Sequence, residues 1–147
     1  MLVAVRATTL KELPGWAKEL LEGGRVGRLG FLDGEDGPRV LPVTYALHGH
    51  AIWSAVDHKP KRAGEPARIG YLRRRPEAAL TVDHYSEDWR ELRWIQVLGN
   101  VEILAAGDAP GALEALVHKY EPYRAEPPPG PLIRLVPTRF LWWSAAG

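Results

Sequence analysis

The sequence predicts a mainly β fold with short α-helices, in which about six antiparallel strands form a barrel. Segments that alternate apolar and polar residues follow one another in hairpin order, and no helix recurs between them as a crossover. The length is the third observation, because 147 residues suffice for one core and leave no room for a second. We therefore expect a single domain over residues 1–147, with a composition typical of globular proteins: 46% hydrophobic and 25% charged residues.

The first element is a helix that is predicted to begin near Pro14 and to end at Gly23-Gly24. Proline is tolerated in the first turn of a helix, and a glycine pair commonly ends one. Thr9 and Glu12, three residues apart, leave open an earlier start at a capping box.

Three predicted strands follow this helix and are joined by two turns. The strands cover residues 27–31, 41–47 and 51–56, and the turns lie at residues 33–38 and 48–50. Pro42 in the second strand indicates an edge or a bulge, because proline has no N–H to donate to a neighbouring strand.

The second half of the chain is predicted to run helix, strand, strand, helix, strand. The ranges are 66–75, 78–85, 94–103, 112–120 and 132–143. The strand over 94–103 gives the clearest signal, with Ile95 and Val97 on one face and Trp94 and Gln96 on the other. The proline-rich run 126–131 is expected to be an extended surface loop.

Several classes of function are disfavoured by what the sequence lacks. The absence of cysteine excludes disulfides, zinc–thiolate sites, iron–sulfur clusters and a cysteine nucleophile. His48 and His50 have the spacing of a metal pair, but the glycine between them marks a turn, so we expect no metal site. Motifs of hydrolases, zincins, nucleoside triphosphatases and Rossmann enzymes are absent from the sequence.

The sequence also predicts a cytoplasmic protein that does not associate with membranes. No stretch approaches the roughly 20 apolar residues that cross a bilayer. The N-terminal segment lacks the apolar core and cleavage site of a signal peptide.

Positive charge is concentrated in one segment, although the net charge of the chain is only +1. Seven lysines and arginines lie between His58 and Arg75 against the single acid Glu65, whereas the rest of the chain is net acidic. This distribution favours a receptor for a small anion over a protein that coats a nucleic acid.

The segment from Trp53 to Arg62 leaves the end of a predicted strand and is rich in hydrogen-bond donors. Its residues Lys59, Lys61 and Arg62 suit a phosphate, because lysine supplies a mobile point charge and arginine a planar fork. A solvated basic loop is the alternative, since charge runs usually form solvent-exposed faces.

Several ordered segments, over about residues 13–145, are similar to the flavin-binding split-barrel superfamily related to pyridoxamine 5′-phosphate oxidase. The segments are RVGRLGFLD, PRVLPVTYALHG, VDHKPKR, VDHYSEDW, RWIQVLGNVEIL and KYEPYRAEPPPGP. VDHKPKR, VDHYSEDW and KYEPYRAEPPPGP more narrowly resemble its branch of probable F420-dependent enzymes. The resemblance implies a homodimer of six-stranded antiparallel split barrels, with two deazaflavin or flavin cofactors in grooves between the subunits.

The resemblance also implies a set of cofactor-binding residues. The loop after the third strand would hold the phosphate through Ser54, Asp57, Lys59, Lys61 and Arg62. His58 stands beside this phosphate and could hydrogen-bond it or act as an acid. The second strand would lie along the cofactor ring and supply main-chain hydrogen bonds from Leu41, Pro42, Val43 and Thr44. Further contacts would come from Trp94, Gln96, Arg139 and Trp142. For these last four, packing in the core or in a dimer interface is the alternative.

These features predict an oxidoreductase in which bound F420, or alternatively FMN, exchanges a hydride with a small-molecule substrate. The protein would anchor the phosphate, orient the ring and exclude water, so no catalytic residue is assigned. A non-catalytic carrier of the same cofactors is the alternative. Arg73, Arg74 and Arg75 could attract a polyanionic cofactor tail, or could simply form a solvated helix end.

Overall fold

The computed structural model describes residues 5–56 and 64–147, which form a mainly β fold with short helices, as predicted. The strands are β1 Val5–Ala7, β2 Gly27–Leu32, β3 Pro38–Val43, β4 Ala46–His48, β5 Ala51–Ala55, β6 Glu77–His84, β7 Arg93–Leu104 and β8 Leu132–Ser144. The helices are α1 Gly15–Gly23, α2 Ala67–Arg74, α3 Pro110–Lys119 and α4 Glu121–Ala125, with 3-10 turns at Leu10–Glu12, Trp89–Glu91 and Ala106–Asp108. None of the described helices has the length and apolar character needed to cross a membrane.

The eight strands of the described residues belong to one antiparallel sheet. Seven follow one another in the order β3-β2-β6-β7-β8-β5-β4, and β1 pairs with β8. Because β7 pairs with β8 along its whole length, β1 and β5 share the other edge of β8. No pairing joins β3 to β4 within residues 5–56 and 64–147, so the sheet is not a closed barrel. The chain itself connects these two strands through Thr44 and Tyr45.

The predicted number of six strands is therefore wrong by two. The segment predicted as one strand over residues 41–47 is divided at Thr44 and Tyr45, and the three-residue β1 is too short to show alternation. Tyr45 leaves the sheet because its backbone N–H donates to the Tyr120 hydroxyl at 3.0 Å and its side chain is fully buried. The other predicted strands are confirmed within a few residues, and Pro42 lies on an edge strand as expected.

The helix predictions are also confirmed, with two additions. The Glu12 carboxylate accepts hydrogen bonds from the backbone N–H groups of Thr8 and Thr9 at 3.1 and 3.0 Å. These bonds stabilise a separate 3-10 turn ahead of α1. Thr9 and Glu12 therefore cap this turn, and α1 begins independently after Pro14. The short helix α4 was not predicted, and it precedes the proline-rich loop.

The two faces of the sheet have different surroundings. The inner face forms the main core, where Ile95 and Val97 of β7 are fully buried together with Leu21 of α1 and Ile69 and Leu72 of α2. A second, smaller core packs α3 and α4 against β4 and β5. None of the four helices of the described chain therefore covers the outer face of β2, β6 and β7.

A β-bulge in strand β8 changes which of the strand's side chains face the core. The register shifts opposite Leu98 and Gly99, where Thr138 is the extra residue and donates from its hydroxyl to the Leu98 carbonyl at 3.2 Å. Before the bulge odd-numbered residues such as Leu135 are buried in the main core, and after it even-numbered residues such as Trp142 are.

Candidate functional site

The proposed anion-binding loop begins at the end of β5, which is held on both sides. Strands β4 and β8 flank β5, and beyond it the Val56 N–H donates to the Pro131 carbonyl at 3.1 Å. Ser54 is buried within β5, with 7% of its surface exposed. The loop residues of the prediction lie outside the described residues: Asp57, His58, Lys59, Lys61 and Arg62.

The end of β3 is connected to β5 through β4. Thr44 precedes Ala46 by two residues, and Ala46 pairs with Trp53, the neighbour of Ser54. Because the chain leaves the sheet at Tyr45, Thr44 has no pairing partner on β5 among the described residues. The Thr44 hydroxyl also hydrogen-bonds the Tyr123 hydroxyl at 2.7 Å, which fixes the end of β3 to α4.

Strand β3 offers main-chain groups at the edge of the sheet. In the part of the chain that the structure describes, β3 pairs with β2 alone, so the backbone groups along its other edge have no strand partner. Such edge groups readily accept an additional hydrogen-bonding partner. Leu41 and Val43 pack against the core and Pro42 is exposed, so the strand is anchored while its edge is accessible.

Gln96 lies on the outer face of the sheet in a row of side chains that crosses five strands. Directly paired residues of antiparallel strands share a face, and the row consists of Pro42, Arg28, Thr81, Gln96 and Leu141. At about 4.8 Å per strand, Pro42 and Gln96 are about 14 Å apart across this face. The edge strand and Gln96 thus belong to one continuous surface.

The rows on either side make this outer face largely apolar. One contains Asp83, Trp94 and Trp143, and the other contains Val40, Gly30, Ala79, Leu98 and Arg139. Trp94, Trp143 and Leu98 are half-buried, and Val40 is 64% exposed. Arg139 makes no ion pair or hydrogen bond among the described residues, whereas Arg28 pairs with Asp83 at 3.4 Å.

Trp142 lies on the opposite side of the sheet from these residues. It is 9% exposed, belongs to the main core and pairs with Ile95. Its neighbour Trp143 takes the outer face. The structure therefore groups Pro42, Trp94, Gln96 and Arg139 on one surface and separates Trp142 from them.

A buried cluster of tyrosines that the sequence analysis missed supports the β3–β4 junction. The Tyr120 hydroxyl lies 3.0 Å from both the N–H and the carbonyl of Tyr45, and 2.9 Å from the Arg25 carbonyl. The Tyr45 hydroxyl donates to the Leu21 carbonyl. The only sequence signal for this cluster is that Tyr120 and Tyr123 lie in KYEPY, part of a segment that resembles the family.

Lys119 places a cation against this cluster. Its Nζ atom is buried, has no hydrogen-bond partner among the described residues and lies 3.9 Å from the centre of the Tyr45 ring. Contact with the ring face offsets part of the cost of burying the charge. Burial, aided by the nearby Arg25 guanidinium, lowers the pKa of Lys119 from 10.5 to about 8.

This shift predicts that stability rises with pH above neutrality. Between about pH 8 and 10.5 the unfolded chain holds the Lys119 proton and the folded chain does not, so the free energy of unfolding increases with pH. We expect a gain of about 1–2 kcal/mol between pH 7.5 and 10 in urea denaturation. Burial also raises the pKa of Tyr45 and Tyr120. At still higher pH the unfolded chain therefore loses these protons before the folded chain does, and the free energy of unfolding decreases with pH.

The matched variants for this prediction are Lys119→Met, which should remove the gain, and Lys11→Met at an exposed position, which should retain it. A Lys119→Met protein with the same pH dependence as the wild type would contradict the assignment.

The arginines at the end of α2 are engaged with acidic and carbonyl groups of the protein. Arg73 pairs with Glu65 at 2.9 Å, and Arg74 and Arg75 pair with Asp36 at 3.5 and 2.7 Å. Arg74 and Arg75 fasten the end of α2 to the β2–β3 hairpin, whereas Arg73 is held by Glu65 just ahead of α2. All three arginines thus have partners within the protein, an arrangement that differs both from attraction of a cofactor tail and from a solvated helix end.

No three histidine or acidic side chains of the described residues are grouped so that they could hold a metal ion. His48 lies at the end of β4 and contacts α3, where a Cβ on Gly111 would lie 2.6 Å from its Nε2 atom.

The described residues thus form an open antiparallel sheet with an accessible edge strand and an uncovered outer face. A family model described as pyridoxamine 5′-phosphate oxidase matches residues 16–139. The chain belongs to this family. No curated protein matches it significantly.

Solved structures with the same fold bind different cofactors. An F420 reductase is 22% identical, with 87% of this chain and 98% of that chain covered and a TM-score of 0.65. An FAD-binding protein from Mesorhizobium loti is 20% identical, with 95% and 96% covered and a TM-score of 0.63. A heme-binding protein from Mycobacterium smegmatis is 20% identical, with 88% and 54% covered and a TM-score of 0.69. At these identities the likeness establishes the fold alone.

Proposed function

We propose that this chain is an oxidoreductase that binds F420, with FMN as the alternative cofactor, and exchanges a hydride with a small-molecule substrate. The observation that carries the proposal is the way three features are connected. The edge strand β3 leads through Thr44 and Tyr45 into β4, which pairs with β5, and the basic segment follows β5 in the sequence. The edge strand β3 also borders the outer face that contains Gln96.

The described residues fit a tricyclic cofactor at this surface. The edge of β3 supplies backbone donors and acceptors for the polar rim of a ring, and Trp94 and Gln96 supply an aromatic face and an amide. Lys59, Lys61 and Arg62 would hold the phosphate, and the fixed end of β5 limits where their loop can begin. When bound, such a cofactor supplies the carbon or nitrogen that accepts or donates the hydride.

The protein's contribution would be positional rather than acid–base. The outer face contains Arg28 and Asp83, which pair with each other, and Arg139, whose guanidinium makes no ion pair or hydrogen bond with the described residues. The half-buried tryptophans and Leu98 exclude water from a ring lying over them, which strengthens the polar contacts that remain. Rate enhancement would then come from holding substrate and cofactor in contact, at about 3–3.5 Å between reacting atoms.

F420 is preferred to FMN because the narrower resemblance of VDHKPKR, VDHYSEDW and KYEPYRAEPPPGP points to F420-dependent enzymes. The fold is compatible with a deazaflavin and with a flavin, since solved structures of this fold include an F420 reductase and an FAD-binding protein.

We further propose that two copies of the chain pair through the outer face and complete the site as a homodimer. Trp94, Trp143, Leu98 and Leu141 form a half-buried apolar surface that no helix of the described chain covers. Uncovered apolar sheet faces of this kind are typical of protein–protein interfaces. Gln96 and Arg139 at the same surface would then lie within reach of the partner's cofactor.

The proposed function is tested by titrating the purified protein with F420 and, separately, with FMN, followed by cofactor fluorescence. We expect saturable F420 binding in the micromolar range or tighter. The variant Lys59→Ala/Lys61→Ala/Arg62→Ala should bind at least about 100-fold more weakly, since each charged contact to a phosphate is worth about 1.5–3 kcal/mol.

The matched control is Lys11→Ala/Lys18→Ala/Arg90→Ala, which removes three positive charges from positions outside the basic segment and should leave the affinity unchanged. Tight binding of FMN and not of F420 would move the protein to the flavin-dependent side. Binding of neither cofactor would overturn the proposal. Turnover of the bound cofactor with any electron donor or acceptor would exclude the carrier alternative.

A further inference from the structure

A cleft of about 340 Å³ opens at the end of the sheet where β6, β7 and β8 meet, away from the proposed cofactor surface. It is lined by His84, Arg90, Glu91, Arg93, Ser144 and Ala146. His84 pairs with Arg93, and Arg93 pairs with Ser144, so these three form one row across the strands. Strand alternation places this row on the side of the sheet opposite Trp94.

Arg93 has no partner among residues 5–56 and 64–147. Its Nε atom is buried and makes no hydrogen bond with these residues, and its guanidinium makes no ion pair with them. The other arginines near it behave differently, since Arg28 pairs with Asp83 and Arg90 with Asp88. The terminal nitrogens Nη1 and Nη2 of Arg93 are also unpaired within the described residues, so the cleft fits an oxyanion that accepts hydrogen bonds from them.

The other charges of the cleft restrict which anion fits. Arg90 is neutralised by Asp88, to which its Nε and Nη2 donate at 2.9 and 2.8 Å. Glu91 makes no ion pair within the part of the chain that the structure describes. Among the described residues, the cleft therefore presents one unpaired cation, Arg93, and one unpaired anion, Glu91. A dianion such as phosphate would find no net positive charge there, whereas a molecule with both a carboxylate and an ammonium group would satisfy both residues.

We propose that this cleft binds a free α-amino acid. The planar fork of Arg93 holds the carboxylate through two parallel hydrogen bonds, and the Ser144 hydroxyl donates a third. Glu91 receives the ammonium group. The volume lies at the lower end of the range for small-molecule pockets, which suits a ligand of this size. The site is independent of the proposed oxidoreductase function and of its cofactor.

The test is an NMR titration of the ¹⁵N-labelled protein with L-alanine, acetate and phosphate, observed at the backbone amides of Ser144 and Ala146. We expect saturable shifts with L-alanine at an affinity at least about tenfold higher than that for acetate, because only alanine engages Glu91 as well as Arg93. Phosphate should bind more weakly than L-alanine.

Three variants separate the contributions of the charges. Arg93→Gln should abolish L-alanine binding, and Glu91→Gln should remove the preference for L-alanine over acetate. Arg134→Gln is the matched control: the Nε of Arg134 is also buried and unpaired, but its Nη1 lies 3.5 Å from Glu102, so its loss should leave binding unchanged. The dispersed spectrum of each variant reports whether it is folded, and Arg93→Lys replaces Arg93→Gln if the latter is not.

The proposal is overturned if L-alanine gives no saturable shift, if phosphate binds more tightly than L-alanine, or if binding persists unchanged when Arg93 is replaced. Equal losses in the Arg93 and Arg134 variants would also overturn it, because they would show a general effect of removing positive charge.

Discussion

Replacement of Tyr120 by phenylalanine is expected to lower the free energy of unfolding by about 3 kcal/mol. The Tyr120 hydroxyl accepts a hydrogen bond from the Tyr45 N–H and lies within 3.0 Å of the carbonyls of Tyr45 and Arg25. Tyr45 is fully buried, so water cannot replace the lost partner. The variant therefore leaves backbone groups unsatisfied at the break between β3 and β4.

Urea denaturation measures this loss, with Tyr71→Phe as the matched control. Tyr71 is half-buried, and its hydroxyl makes no hydrogen bond among the described residues, so removing that hydroxyl should change stability by less than about 0.5 kcal/mol. Because Thr44 directly precedes Tyr45, we also expect Tyr120→Phe to weaken cofactor binding. A Tyr120→Phe protein as stable as Tyr71→Phe would contradict the role assigned to the tyrosine cluster.

Gly99→Ala is expected to destabilise the protein by about 3 kcal/mol or more. A Cβ atom on Gly99 would lie 2.0 Å from the Val136 carbonyl oxygen and 2.8 Å from its carbon. These are backbone atoms of the neighbouring strand, so the clash cannot be relieved by turning a side chain. Relief requires β7 and β8 to separate at the bulge that turns Arg139 to the outer face.

Gly70→Ala is the control for this substitution. Gly70 lies in α2, a Cβ there would meet nothing within 4 Å, and alanine should stabilise the helix by about 0.5–1 kcal/mol. The two variants are compared by urea denaturation. A Gly99→Ala protein within 1 kcal/mol of the wild type would show that the bulge is not a constrained part of the fold.

The elements predicted well are those with a long, regular pattern. Strand β7 alternates over its whole length, and the burial of Ile95 and Val97 against the half-buried Trp94 and Gln96 follows that alternation. The hairpin turn at His48-Gly49-His50 was predictable because glycine favours positive φ, and the structure has Gly49 and His50 at 57° and 63°.

The elements predicted poorly depend on contacts between distant residues. The break at Tyr45 is caused by the hydroxyl of Tyr120, 75 residues away between α3 and α4, and local alternation does not indicate it. The bulge at Thr138 has a similar effect in β8. Uninterrupted alternation would place Trp143 with Leu135 in the core, whereas the bulge buries Trp142 instead.

Part of the candidate site was also predictable from local sequence patterns, and part depends on contacts between distant residues. The sequence alone indicated a basic loop after a strand, and alternation placed Trp94 and Gln96 together. It could not show that Pro42 and Gln96 share one surface, because that depends on the pairing of β3, β2, β6 and β7. The cleft around Arg93 likewise depends on a contact between distant residues, because Ser144 and Ala146 at the end of β8 lie beside the connection between β6 and β7.

The central claim is that the outer face of the sheet binds F420 between two copies of the chain. It is tested most directly by sedimentation velocity of the protein mixed with F420, followed at the absorption band of the cofactor. We expect the cofactor to sediment with a species of twice the mass of the chain. Cofactor that remains at the meniscus, or that sediments with a single chain, would contradict the claim.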